Sequence, residues 1–406
     1  MRILNVTAQK PDSTGSGVYL AEMVRCEVAS GHEAAVVCGI AQGDPLPFPA
    51  GVAAYPAYFE TEELPFPVCG MSDEMPYRAT RYRDMDASMI EAFRHAFEKR
   101  VLCAVREFKP DVVVCHHLYL LTALVRRIVP ETPVFGLCHS TDLRQMRSHA
   151  LERDFIMEGV CALDGIFALH DAQRAEIVEL YGCDSLKVSV LGTGYNASVF
   201  KPCEDEGVQY SNLPLLYVGK VWEKKGVGCL LEALDEVAVP GKVCGLKLVG
   251  GHNDEDEFRR FQNRAALCKV PVEFAGRLDT DALVRSYQRA DVFVLPSFFE
   301  GLPLVVVEAL ACGCRVVVSD LPGIRPWLAR HVPDAPVVFV RPPRMRTADD
   351  PYPEELEGFS HRIAQGIEQA FRLPPFRGDM RSLSWEGLTA RFIAVVSLCV
   401  QEAVPR

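Results

Sequence analysis

ADVFVLPSFFEGLPLVVVEALACGCRVVVSD, residues 290–320, sets an apolar run, a short loop, a helix-length segment and a second apolar run in direct succession. VFVL ends at Leu295, and four consecutive apolar residues before a proline read as a strand buried on both faces. The loop PSFFEG follows. A helix over 303–312 then opens with Pro303 in its first turn, where a missing N–H leaves no bond unmade. Residues 315–318 resume the sheet. Strand, loop, helix and strand in this order build a parallel sheet flanked by helices, and such sheets bind ligands beyond the carboxyl ends of their strands.

The same alternation continues in both directions, so the chain reads as α/β. Upstream, strands are expected over 2–7, 33–38, 111–115, 133–138, 165–169 and 187–191. Helices are expected over 17–29, 87–108, 120–129 and 172–181, the first closed by Gly31. Residues 41–83 are rich in Pro, Gly and aromatics and read as one long irregular loop, a kind that is often functional. The polar stretch PCEDEGVQYSNLP, 202–214, reads as a linker. Beyond it, strands are expected over 215–219, 247–249, 272–274, 292–295, 315–318 and 337–340. Helices are expected over 227–237, 255–267, 280–289, 303–312 and 354–371, and an apolar-faced helix over 382–403. A chain of 406 residues exceeds one ordinary core. The expected division is 1–205, 206–378 and a terminal helical segment 379–406.

Composition removes several function classes. With 54 acidic against 43 basic residues the formal charge is −11, which argues against a nucleic-acid binder, since that would need a basic stripe. A small anion held by local cations and helix ends stays compatible with that charge. The apolar stretch 302–318 is broken by Glu308 and Gly313, so it reads as core and not as a membrane span. Helix 87–108 balances its cations with acids, which limits membrane association to the peripheral kind. MRILNVTAQK enters a strand without the apolar core of a secretion signal, and the fifteen cysteines form no CxxC pair. Both point to a cytoplasmic protein with free, buried thiols. Cys115, His116, His117, Cys138 and His139 are ligand-type residues, but their spacing matches no structural zinc pattern. The acidic triplets at 84–86, 254–256 and 279–281 each precede a helix, so capping accounts for them and no metal is expected.

Four stretches carry candidate chemistry. Around the 290–320 turn, the backbone N–H groups of Gly301, Leu302 and Leu304 are placed to receive a phosphate at a helix start. Glu300 and Glu308 would repel that phosphate, so they make sense as acceptors from hydroxyls on either side of it. The plainer alternative is a helix-start charge and a solvated helix residue, and the apolar neighbours of Glu308 speak against it there. In YVGKVWEKKG, 217–226, Lys220 and Lys225 offer cations for a leaving diphosphate, whereas Lys224 reads as solvated. In TGSGVY, 14–19, Gly15 and Gly17 permit close approach at a helix start, although the full dinucleotide fingerprint is absent. In CHSTD, 138–142, His139 stands at a strand end, as a structural or a functional histidine.

In this order the residues resemble the retaining GT-B glycosyltransferases of family 4. The E-x7-E spacing of Glu300 and Glu308 with the following ALACGCRVVVSD carries most of the resemblance. FAGRL at 274–278, GTGYNASVFKP at 192–202, GK…KKG at 219–226 and GHE at 31–33 support it. The resemblance implies two Rossmann-like domains with parallel sheets facing across a cleft and a C-terminal helix returning to the first domain. It implies transfer of a hexose-type sugar from a nucleoside-diphosphate sugar to a hydroxyl of a sugar, lipid or small-molecule acceptor, with retention, by front-face attack and without a metal or other cofactor. Glu300 would meet donor-sugar hydroxyls, Glu308 the ribose, and Lys220 and Lys225 the diphosphate. Arg277 and Leu278 would lie near the base, Gly15 and Gly17 near the phosphates or the sugar, and His139 near the reacting centre. The family usually carries Arg where Lys220 stands, so the bidentate fork is lost here. Tyr77, Arg78, Arg81 and Arg83 are acceptor-side candidates. A nucleotide-sugar epimerase and a non-catalytic nucleotide-sugar-binding protein are the competing readings.

Overall fold

A computed structural model describes residues 1–11, 13–203, 214–241, 244–347 and 349–403. The chain forms two compact units, one of Met1–Thr193 with Trp385–Arg406, the other of Gly194–Ser384. The expected linker lies largely, and the 205/206 boundary wholly, at 204–213, outside the described residues.

The first unit opens with β1 (Arg2–Val6), α1 (Gly15–Ala29), β2 (Glu33–Ala41), β3 (Ala53–Phe59), β4 (Cys69–Gly70) and β5 (Thr80–Arg81). It continues through α2 (Ala87–Phe108), β6 (Val112–His116), α3 (Leu120–Ile128), β7 (Val134–Leu137), α4 (Thr141–Ser148), α5 (Arg153–Cys161), β8 (Gly165–Ala168), α6 (Asp171–Tyr181) and β9 (Val188–Val190). Seven strands pair in the order β3-β2-β1-β6-β7-β8-β9, and every pairing is parallel. β7 and β8 are apolar along their length because helices cover both faces, and the interior strands β1 and β6 depart from this only at Arg2, Asn5 and the terminal His116.

Residues 41–83 are not one irregular loop. β3 pairs with β2 through seven register positions, and β4 pairs with β5. Pro56 obscures the pattern of β3, but β3 is a sheet edge, where a missing ladder donor is tolerated. Helices α4 and α5 were not expected either. α4 follows Ser140, but that hydroxyl accepts from Gln173 and makes no capping bond, and α5 is entered through Glu152 in the left-handed region with no capping side chain.

The second unit contains β10 (Leu215–Val218), α7 (Val227–Ala233), β11 (Leu246–Val249), α8 (Glu255–Ala265), β12 (Val272–Gly276), α9 (Thr280–Gln288) and β13 (Val292–Leu295). It ends with α10 (Leu304–Ala311), β14 (Arg315–Ser319), α11 (Ile324–His331), β15 (Val337–Val340) and α12 (Leu356–Arg372). Its six parallel strands run β12-β11-β10-β13-β14-β15. Pro303 is the N-cap of α10 and not a first-turn residue, because its ψ of 119° is extended and the helix starts at Leu304. α11 escaped the sequence reading for the same reason as α5: Gly323 precedes it at φ 87° with no capping side chain. Asp86, Asp254 and Asp279 each accept N–H bonds at the start of α2, α8 and α9, as capping residues do.

The last helix, α13 (Trp385–Ala403), belongs to the first unit. Trp385 meets Tyr19 edge-on at 4.8 Å and Phe392 meets Phe167 at 5.4 Å. In both sheets the strand order reverses once, between β1 and β6 and between β10 and β13, and those reversals open the crevices in which such sheets hold ligands.

Candidate active site

In the second unit the crevice lies between the loops after β10 and β13. The first loop turns through Gly226, φ 72°, into α7. A Cβ there would stand 2.1 Å from the Pro296 carbonyl oxygen, so only glycine lets the two loops touch. Phe298 N–H donates to the Lys224 carbonyl at 3.1 Å and locks the contact. Lys225 Nζ thereby meets Glu300 Oε1 at 2.7 Å, with both side chains largely covered. Lys220 Nζ stands 4.0 Å from the centre of the Trp222 ring, a cation over an aromatic face. Lys224 is not a free solvated lysine: its Nζ pairs with Asp349 at 3.0 Å.

Glu308 sits on α10, half-buried, and accepts from Tyr287 Oη at 3.1 Å. Tyr287 is fully buried, and burial beside that carboxylate pushes its phenol well above the usual range. No side chain caps α10, so the N–H groups around Gly301, Leu302 and Leu304 are not taken by a capping oxygen. Arg277 and Leu278 follow β12, two strands away from β10. Gly250 N–H bonds the Gly276 carbonyl at 2.8 Å and Val221 N–H the Gly251 carbonyl at 2.9 Å, which stitches the ends of β10, β11 and β12 together. The Arg277 side chain lies over Gly251, where a Cβ would approach its Nε to 2.8 Å.

Gly15, Gly17 and His139 belong to the first unit, at its own strand reversal. Thr14 caps α1, its hydroxyl accepting from the Gly17 N–H at 3.1 Å, so that donor is already engaged. Gly15 is open, with no atom within 4 Å of its would-be Cβ. His139 follows β7, and its N–H donates to Asp142 at 3.2 Å. His116 Nδ1 faces His139 Nε2 at 3.2 Å, and His117 Nε2 faces Ser16 Oγ at 3.2 Å. Burial lowers His116 and His117 to about 3, and burial first, then the other two imidazoles, holds His139 well below its ordinary value. Burial thus disfavours the charged form of all three. Among the described residues no group of three or more His, Cys, Asp or Glu is arranged to hold a metal ion.

The acceptor-side arginines are each committed to a carboxylate: Arg78 to Glu60, Arg81 to Asp84 and Arg83 to Asp73. Tyr77 is half-buried beneath Lys10, whose Nζ is 5.0 Å from the ring centre. Tyr287, Trp222 and Asp142 escaped sequence reasoning. Asp142 stood inside the quoted CHSTD, whereas nothing local marks Tyr287 as a partner for a residue 21 positions away.

Residues 213–344 match the family model described as "Glycosyl transferases group 1", and residues 14–194 match that of the "Glycosyl transferase 4-like domain". The chain belongs to the group 1 glycosyltransferases. It is an enzyme that transfers sugar from a nucleotide sugar, and its two units give it the GT-B architecture. This glycosyltransferase is 26% identical to a glycogen synthase of Mycobacterium tuberculosis over 80% of its own chain and 79% of the relative. It is 32% identical to D-inositol 3-phosphate glycosyltransferase 2 of Catenulispora acidiphila over 41% of its own chain and 42% of the relative. Its fold matches the sucrose-phosphate synthase of Thermosynechococcus elongatus with a TM-score of 0.66 at 16% identity, covering 99% and 100% of the two chains. It matches Anabaena HepE, solved in complex with UDP and glucose, with a TM-score of 0.66 at 14% identity, covering 98% and 100%. Among the described residues of the glycosyltransferase, no helix is long and apolar enough to cross a membrane.

Proposed function

We propose that this glycosyltransferase moves a hexose from a nucleoside-diphosphate sugar to an acceptor hydroxyl with retention of configuration, needs no metal and works in the cytoplasm. The Lys225–Glu300 pair at the β10/β13 crevice carries the reading. A cation and a carboxylate held 2.7 Å apart are partners waiting to be exchanged. An arriving diphosphate takes the ammonium, and sugar hydroxyls donate to the freed carboxylate.

Glu308, oriented by Tyr287, accepts from the ribose, and Arg277 and Leu278 flank the base. Lys220, Lys225 and the uncapped start of α10, at Gly301, Leu302 and Leu304, stabilise charge on the departing diphosphate. In the first unit Gly15 and His139 serve the phosphate or sugar, and Gly17, its N–H held by Thr14, shapes the turn that presents Gly15. The acceptor hydroxyl attacks on the face that the diphosphate leaves, and a diphosphate oxygen takes its proton, so no protein nucleophile is assigned. Structural neighbours support a hexose: HepE was solved with UDP-glucose, and an Arabidopsis starch synthase with ADP and acarbose. Fifteen free thiols support a reducing compartment.

A thermal-shift screen of nucleoside-diphosphate hexoses tests the donor, and proton NMR of the product tests its anomeric configuration. At least one donor raises the melting temperature of the wild type and less so that of Glu308→Ala, with turnover indifferent to EDTA. A panel without any shift, or an inverted product, would defeat the proposal.

A further inference from the structure

Behind the His139 imidazole runs a file of polar groups that no motif joins. Glu27, on α1, and Asn5, in β1, have no exposed surface. Asn5 Nδ2 donates to Glu27 Oε2 at 2.8 Å. Asn5 Oδ1 faces His116 Nε2 at 3.5 Å, and His116 Nδ1 faces His139 Nε2 at 3.2 Å. Such a file in an α/β core is expensive, because each buried polar group must keep its partner. Burial pushes the Glu27 carboxyl up to about 8, and its Oε1 has no hydrogen-bond partner. Apolar residues would serve the packing of α1 on the sheet at lower cost.

The placement of the Asn5 amide, with Nδ2 on Glu27, sets the direction of the file. A side-chain amide has one donating and one accepting end. With Nδ2 committed to Glu27, Asn5 offers only its carbonyl oxygen to His116. The single proton of a neutral His116 then resides on Nε2, which leaves Nδ1 as an acceptor. His139 must supply the proton between the two rings, so it is protonated on Nε2 and bare on Nδ1. Part of the His139 surface stays accessible, whereas His116 and His117 are covered.

We propose that Glu27, acting through Asn5 and His116, is a positioning residue that holds His139 as the Nε2–H tautomer, so that its Nδ1 accepts a hydrogen bond from a substrate hydroxyl. The identity of that hydroxyl rests on the function proposed above, and the tautomer does not.

The test is long-range proton–nitrogen NMR on the full chain carrying 15N-histidine, with the His139 signals assigned by their loss in His139→Gln. Wild-type His139 shows its proton on Nε2. Glu27→Leu frees the Asn5 amide to turn, so the Nδ1–H form appears, and kcat falls about fivefold to tenfold, the worth of one hydrogen bond, with donor KM little changed. Glu27→Gln keeps an oxygen for Asn5 and restores both readouts. A wild-type proton on Nδ1 overturns the proposal without recourse to any Glu27 variant, and so does a folded Glu27→Leu with an unaltered tautomer. An Nε2–H signal in a protein that binds no nucleotide sugar defeats the functional reading and leaves the positioning role standing.

Discussion

At Glu308, a carboxylate surrounded by apolar neighbours owes its orientation to a phenol on another helix, Tyr287 Oη at 3.1 Å. The ring is anchored independently against Phe293 and Phe200, at 5.8 and 5.9 Å between centroids. Tyr287→Phe therefore keeps the packing and deletes one hydrogen bond. Donor dissociation should weaken about fivefold to tenfold, near 1 kcal/mol, with the melting temperature little moved. Calorimetric titration with the stabilising nucleotide sugar measures it, and an unchanged affinity would detach Glu308 from the donor. The same pair marks how far residues were legible in the sequence. Glu300, Glu308, Lys220 and Lys225 stood out because their spacing or apolar surroundings are local properties. Tyr287, Asn5 and Glu27 acquire meaning only from partners that folding supplies across 21, 22 or 111 positions. Lys224 looked solvated for the converse reason, since Asp349 lies 125 positions away.

Among the elements, interior strands other than β2, which runs three residues beyond the expected 33–38, were read nearly to the residue because burial on both faces writes a continuous apolar run, as in VFVL of β13. Other segments were lost: β3 behind its edge proline, α5 and α11 for want of a capping side chain, and α4 although Ser140 precedes it, because that hydroxyl serves Gln173. Loops showed their residues but not their contacts, and the contact of the β10 and β13 loops makes the candidate site. Gly226 is where it is most exposed to mutation. Alanine there would be strained at φ 72° and would press on the Pro296 carbonyl. Gly226→Ala should cost about 1–3 kcal/mol in urea unfolding and abolish the thermal shift by nucleotide sugar. A variant of native stability and native donor binding would show that the two loops need not touch.

On the scale of the whole molecule, the buried ionisable groups of the first unit impose a pH optimum. His116 and His117 are lowered to about 3 in the fold and His139 also lies low, so below about 6.5 the unfolded chain takes up protons that the fold refuses. The stability they allow is present above that value and is lost as pH falls. Glu27, raised to about 8, and Asp142, also raised by burial, act oppositely: their contribution is complete below the unfolded carboxyl value near 4 and is lost as pH rises through the folded one. Three histidines outweigh two carboxyls on the acid side, so melting of the first unit should peak near pH 6.5, and Glu27→Gln should flatten the alkaline limb. A monotonic profile would contradict this.

That same unit is closed by the far end of the chain. Trp385, Leu388, Phe392 and Val396 are buried at helical spacing along α13. At about 1.5–3 kcal/mol for each buried side chain, they contribute on the order of 10 kcal/mol, comparable with the whole stability of a domain. A chain ended after Ser384 strips Tyr19 and Phe167 of the rings that α13 lays against them. Scanning calorimetry of that truncation should retain the transition of Gly194–Ser384 and lose the cooperative transition of Met1–Thr193. Two native-like transitions would mean that the first unit folds without its last helix. The apolar face of 382–403 was visible in the sequence, and the family resemblance implied its return to the first domain; the stripe alone states only that something must cover it, and the fold names the cover as α1 and β8, more than two hundred positions earlier.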